Sequence, residues 1–326
     1  MIRIIFNIFK ACIFKHFLKL IITFLVIIKF DSSFASCFNY IPYAHNQLYT
    51  HLPASTKFCV KLKDKKIYYN ISKNFSRKIY NNFDKDSEIY AFGDSQFLGI
   101  DWDEKSLKKH DLERITNSKK ISIFAAPNNG PFQVTNLINS LNEIIVKNIN
   151  LKKIILSFNY GNDVFRLQKK WKLQNFVPLK SDELSNIMSQ PFLYDLILLR
   201  GLLTGKYFSV NLPDNKKTFV LFSNLDETEI NKRLILWLNK IKKIKNTIRK
   251  ELNIIIYPPY WVFDLSKKDK IYVNNKFLKL ICNIQKEKIF DAIILGKTNL
   301  DINFTEDKRH FATGYLKYEK KIDDCK

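Results

Sequence analysis

The sequence predicts an α/β fold, a three-layer α/β/α sandwich with a parallel sheet at its centre. Three observations carry that expectation. Short apolar, β-branched runs alternate with segments of helical period, and strands alternating with helices build a parallel sheet covered on both faces. Two of the runs give way to small polar residues, Gly93-Asp94-Ser95 and Gly161-Asn162-Asp163, as strands do at the carboxyl edge of such a sheet, where ligands bind. The chain's 326 residues, 46% hydrophobic and 26% charged, suffice for one large core with an insertion.

The chain opens with a cationic lead-in of Arg3, Lys10, Lys15 and Lys19, followed by an unbroken apolar stretch from Leu20 to Ile28. Ser33-Phe34-Ala35 then supplies the small residues a signal peptidase reads. The apolar run falls short of the about 20 residues a spanning helix needs. Residues 1–36 therefore read as a cleaved export signal, with a retained membrane anchor second and lipid attachment at Cys37 third. The protein is expected to be periplasmic or secreted, or else membrane-associated through its N-terminus. Cys37, Cys59, Cys282 and Cys325 follow the signal. An even number suits an oxidising compartment, and proximity favours Cys37 with Cys59.

Residues 37–87 form a tyrosine- and lysine-rich extension, with a hairpin from Phe58 to Tyr69 that turns at Lys63 to Lys66. From residue 88 to 326 the alternation is regular apart from an insertion. Ile89 to Phe92 is a strand, and Ile121 to Ala125 is a second. Pro131 suits the first turn of a helix, with Asn129 placed to cap it and Val134, Leu137, Ile138, Leu141, Ile144 and Ile145 on one face. Ile154 to Phe158 is a third strand. Residues 171–223 are irregular and contain an apolar piece from Phe192 to Leu203, which reads as an inserted lid or side-domain.

The strongest helical pattern follows. Acidic Asp226, Glu227 and Glu229 open it, Lys and Arg close it, and Ile230, Leu234, Trp237, Leu238 and Ile241 form a buried stripe. Asn253 to Tyr257 is a strand, the stretch around Phe277 to Lys288 is helical, and Ala292 to Leu295 is the last strand.

A net charge of +23 raises the question of nucleic acid. The cations are overwhelmingly lysine, with no Arg-rich or Gly-aromatic signature, so nucleic acid is not the expected partner. The charge suits solubility and steering towards anionic glycans or lipid surfaces. No CxxC occurs and the histidines lack zinc-ligand spacing, so neither metal nor cofactor is expected. A monomer is expected.

Near the C-terminus stands Asp307-Lys308-Arg309-His310. Three-residue spacing lets a carboxylate and an imidazole converge. With Ser95 at one strand end and the asparagine motif at another, the Asp/His pair completes a hydrolytic kit, in which His310 would take the serine proton and Asp307 would hold the imidazole tautomer.

In this order the motifs resemble the SGNH hydrolase superfamily of GDSL-like esterases, over about residues 88 to 315 apart from the middle insertion. The resemblance implies a flavodoxin-like fold with Ser95 as nucleophile and Asp307 and His310 as its partners. It identifies Asn128-Asn129-Gly130 as the second block. An oxyanion hole would come from Ser95, Gly130 through its backbone N–H, and Asn162. Tyr160 stands where the family has glycine, which makes Asn159 the fallback for Asn162. The expected activity is removal of O-acyl, chiefly O-acetyl, groups from carbohydrate. Transfer to a sugar hydroxyl, lipid-ester hydrolysis and silent glycan binding are the alternatives. Trp102, Tyr257, Tyr260 and Trp261 would offer flat faces to sugar rings; ordinary packing is the other reading of these rings.

Overall fold

A computed structural model describes residues 37–39, 41–45, 48–62, 65–78, 84–99, 111–167, 188, 191, 193, 196, 215–262, 264–298, 316–319 and 325. The expected export signal, Trp102, most of the expected insertion and the Asp307–His310 motif lie outside the described residues.

The centre is a seven-stranded, mostly parallel sheet with helices on both sides. Strands β6 (Ile89–Gly93), β7 (Ile121–Ala125), β8 (Lys153–Asn159), β9 (Glu251–Tyr257) and β10 (Ala292–Thr298) run parallel in the spatial order β7-β6-β8-β9-β10. This is the 2-1-3-4-5 order of a doubly wound sheet, whose direction of growth reverses between β6 and β8. Antiparallel β11 (Leu316–Glu319) and β5 (Arg77–Lys78) close the two edges. Every residue of β6 and β7 is buried, and so is all of β8 and β9 beyond their first residues. Burial on both faces explains why these strands read as continuous apolar runs rather than alternating ones.

Helices α3 (Pro131–Ser140), α7 (Glu227–Ile248) and α8 (Lys267–Lys286) pack side by side. Trp237 of α7 donates its indole N–H to Thr135 Oγ1 of α3 at 3.0 Å and leans on Phe158 of β8. Glu227 at the start of α7 meets Lys276 of α8 at 2.8 Å. Short helices α1 (Ser95–Leu98) and α2 (Asp111–Thr116) connect β6 to β7, and α4 (Asn142–Lys147) leads into β8. The β6–β7 and β7–β8 connections run in opposite directions across the sheet, so the right-handed rule for parallel crossovers assigns them to opposite faces. Helix α5 (Tyr160–Arg166) follows β8, and α6 (Asn215–Ser223) precedes α7.

Helix α8 begins ten residues before the expected stretch. Ser266 caps it by accepting the N–H of Asp269, so a lysine-rich first turn stays helical despite a sparse apolar stripe. At α3 the expected cap is corrected. Gly130, not Asn129, occupies the N-cap, because Asn129 is drawn away to bond Thr50.

The extension is woven into the sheet. Strands β1 (Ala44–His45) and β2 (Thr50–His51) pair with each other, as do β3 (Lys57–Leu62) and β4 (Lys65–Asn70), and β5 then joins β7. Phe38, Phe58, Val60, Ile67 and Tyr69 enter the main core. Disulfides link Cys37 to Cys59 and Cys282 to Cys325. A Cys37 sulfur held in the bond to Cys59 has no thiol to offer a lipid.

Candidate active site

Ser95 is the first residue after the β6 loop. Asp94 holds an extended conformation and accepts the N–H of Gln96 at 2.9 Å, capping α1 so that Ser95 sits at its first position, 9% exposed. The turn is tight because Gly93 lies against the Ser157 side chain of β8, where a Cβ would collide with it. The short helix ends at Gly99, whose φ of 63° suits glycine. Arg77 of the extension, fully buried over the Tyr69 ring, donates to the Leu98 and Gly99 carbonyls, both at 2.6 Å. The extension thus fixes the helix that carries Ser95.

Asn159 ends β8, the strand next to β6, and is the N-cap of α5. Its Nδ2 donates to Asp94 Oδ2 at 3.4 Å, and its backbone N–H donates to Asp163 Oδ2 at 2.8 Å. An amide nitrogen has two hydrogens, so one remains beyond the Asp94 bond. Asn162 lies within the first turn of α5, half-buried. The structure therefore brings the fallback asparagine into contact with the Gly-Asp-Ser loop and sets the preferred one on the adjoining helix turn.

Arg166, one turn further along α5, ties the three motifs together. Its guanidinium donates to Asp163 Oδ1 at 3.0 Å and to the Asn129 carbonyl at 3.1 Å, and stands 3.8 Å from Asp94 Oδ2. Asp94 and Asp163 are both almost fully buried. Burial pushes the Asp163 carboxyl up to about 7, against the pull of Arg166 and with help from the Asp94 charge. One guanidinium shared by two buried acids is a compact, polar, strongly held centre at the point where the sheet order reverses.

Gly130 meets this centre from the next loop. A Cβ there would lie 2.7 Å from Arg166 Cδ, so glycine is what admits the arginine. Its backbone N–H, expected in the oxyanion hole, donates to Gln133 Oε1 at 3.2 Å as part of the α3 capping box. The same loop is held from outside. Asn129 Oδ1 accepts from the Thr50 N–H at 2.9 Å while Nδ2 donates to the Thr50 carbonyl at 3.0 Å, and Asn128 Nδ2 donates to Tyr43 Oη at 3.1 Å. Burial raises the Tyr43 phenol to about 12, keeping it neutral.

The aromatic run needs correction. Tyr257, Tyr260 and Trp261 are buried, Trp261 completely. Trp261 donates its indole N–H to the Gly161 carbonyl at 3.2 Å and packs on Phe222, while Tyr257 meets Phe97 edge-on. Rings so enclosed serve packing and offer no face to a sugar. Sequence reasoning missed Arg166, although an Asp and an Arg three apart on a helix are a readable pair. It also missed Thr50, Tyr43 and Arg77, whose partners lie too far along the chain to leave a local signal.

Neither a comparison with protein-family models nor one with curated proteins finds a match to this chain.

Proposed function

We propose that the chain is an exported serine esterase of SGNH type that removes O-acyl, chiefly O-acetyl, groups from an envelope or extracellular carbohydrate. One observation carries the reading. Ser95 and the Asn159–Asp163 segment stand at the carboxyl ends of adjacent parallel strands, across the reversal point where such sheets bind ligands. Ser95 attacks the acyl carbon, and His310, held by Asp307, takes its proton and returns it to the leaving sugar hydroxyl. Asn159 or Asn162 stabilises the oxyanion by a side-chain N–H, a contribution worth roughly a hundred- to a thousandfold in turnover. Water then releases the acyl group. Two disulfides accord with an oxidising compartment. The +23 charge suits an anionic glycan matrix.

A second reading, a catalytically silent glycan-binding protein, is favoured by the Gly130 N–H being engaged by Gln133. An acyl-chain-length series measured beside a panel of acetylated glycans tests the proposal. Acetate release from a glycan, with little turnover of octanoyl esters, is the expected result. Preference for long chains with no acetate released from any glycan makes the protein a lipid esterase. Acetate transfer to an added oligosaccharide that outruns hydrolysis makes it a transferase. Binding without turnover of any ester supports the silent reading.

A further inference from the structure

Helices α6 and α8 share a pattern on their exposed faces. Each opens with two exposed lysines and carries two exposed apolar residues one turn on: Lys216-Lys217 with Val220-Leu221, and Lys267-Lys268 with Ile271-Tyr272. Four-residue spacing sets each lysine beside its apolar neighbour on one helix face. Val220 is 55% exposed, Leu221 49%, Ile271 53% and Tyr272 38%, so a large part of each side chain meets solvent. The two helices touch. Tyr272 of α8 meets Phe219 and Phe222 of α6 edge-on, with ring centroids 6.0 and 6.5 Å apart. Phe222 in turn packs on Trp261, just beyond the carboxyl end of β9, so the shared surface lies at the same edge of the sheet as Ser95. Lys216, Lys267, Lys268 and Lys270 form no ion pair among the described residues. The acids nearest in sequence are committed elsewhere. Asp269 accepts from the Ser266 hydroxyl, Asp226 caps α7, Glu227 is held by Lys276 and Lys279, and Glu229 and Asp264 also have partners.

We propose that the α6–α8 surface docks on an anionic phospholipid bilayer, with Val220, Leu221, Ile271 and Tyr272 entering the interfacial region and the lysines meeting headgroup phosphates. Apolar side chains bordered by lysines are the composition of an interfacial helix face, and tyrosine sits readily at that depth. Lysine stems lie along apolar surface while the ammonium reaches the headgroups. Other occupants fit less well. A symmetric contact with a second copy opposes the lysines of one protomer to those of its partner. Interface cores between proteins are depleted in lysine. The inference is independent of the esterase proposal, since it uses neither Ser95 nor its partners.

The test adds vesicles of equimolar phosphatidylglycerol and phosphatidylcholine to the full chain, with phosphatidylcholine alone as the neutral counterpart, and measures amide hydrogen exchange. Val220→Ser/Leu221→Ser/Ile271→Ser removes the apolar contact and Lys216→Gln/Lys267→Gln/Lys268→Gln the charge. Both sets are exposed, so both variants should fold, as circular dichroism checks. Leu221→Ser/Ile271→Ser replaces the triple serine variant if it does not. The controls, Ile235→Ser/Leu236→Ser and Lys232→Gln/Lys242→Gln/Lys243→Gln, make like changes on exposed positions of α7. The proposal expects exchange in residues 216–223 and 267–275 to slow severalfold on the mixed vesicles and not on the neutral ones. The vesicle concentration giving half of that protection should rise at least fivefold in each patch variant and less than twofold in either control. Unchanged exchange in both segments overturns the proposal, even where the protein sediments with vesicles through its N-terminal apolar run. Undiminished protection in the patch variants, equal loss in the controls, or equal protection by neutral vesicles also overturns it. A dimer in light scattering that the serine variant abolishes, with no protection by vesicles, overturns it in favour of a contact between copies.

Discussion

The Nδ2 of Asn159 donates to the Asp94 carboxylate at 3.4 Å, across the seam between β6 and β8. That bond couples the residue before Ser95 to the N-cap residue of α5, and Arg166 reinforces it from behind through Asp163. The geometry of the candidate site is thus set by buried polar contacts among three loops, and the expectations below follow from their energetics.

Removing the cation should be severe. Arg166→Met leaves two buried carboxylates without their shared partner and should cost about 3–5 kcal/mol in urea unfolding. Adding Asp163→Asn to that variant removes one of the stranded charges and should recover a substantial part of the loss. Equal stability of the single and double variants would show that Asp163 and Arg166 are not energetically coupled.

Stability should fall as pH rises through the range set by Asp163. Its carboxyl sits near 7 in the fold, against about 3.9 for an unperturbed aspartate. Between those values the folded chain holds a proton that the unfolded chain has lost, so this group's contribution decreases from about pH 4 to about pH 7 and is level above. Asp163→Asn should flatten that part of the profile, with the difference on the order of 1–3 kcal/mol, measured as denaturant midpoints at fixed pH steps.

Much of the sheet was legible because its strands are buried on both faces. Ile89–Gly93 and Ile121–Ala125 are bare apolar runs, and polar loops mark their ends. Helix α7 was legible from Asp226, which accepts from the Thr228 and Glu229 N–H groups, and from a stripe of buried residues at helical spacing. The extension's role was not. Thr50 meets Asn129 and Arg77 meets Leu98 through single side chains at long sequence separation, and no period records such contacts. The Tyr257–Trp261 run misled for a related reason. Aromatic residues suit a ligand rim and a core equally, and only the positions of Phe97, Phe222 and Gly161 decide for the core.

Ser157 should be dispensable and Gly93 should not. The buried Ser157 hydroxyl has no hydrogen-bond partner among the described residues, so Ser157→Ala should be neutral or stabilising by up to about 1 kcal/mol. Gly93→Ala drives a methyl into that side chain and should cost about 1–3 kcal/mol, partly restored by adding Ser157→Gly. Thermal melts of the set read both effects.

Cutting the staple from the extension should loosen the second motif loop. Thr50→Val keeps the backbone bonds to Asn129 but removes a buried hydroxyl that lies 2.6 Å from the Pro127 carbonyl. The expected loss is about 1–2 kcal/mol, with faster amide hydrogen exchange confined to residues 126–130 and 50–52. Unchanged exchange in both segments would contradict the staple.

The most direct test of the account is labelling of the purified protein with a fluorophosphonate, followed by peptide mapping and p-nitrophenyl acetate hydrolysis. The account predicts a single modified serine at Ser95 and loss of hydrolysis by at least about a thousandfold in Ser95→Ala. Full hydrolysis in Ser95→Ala, or labelling at another serine, would contradict it.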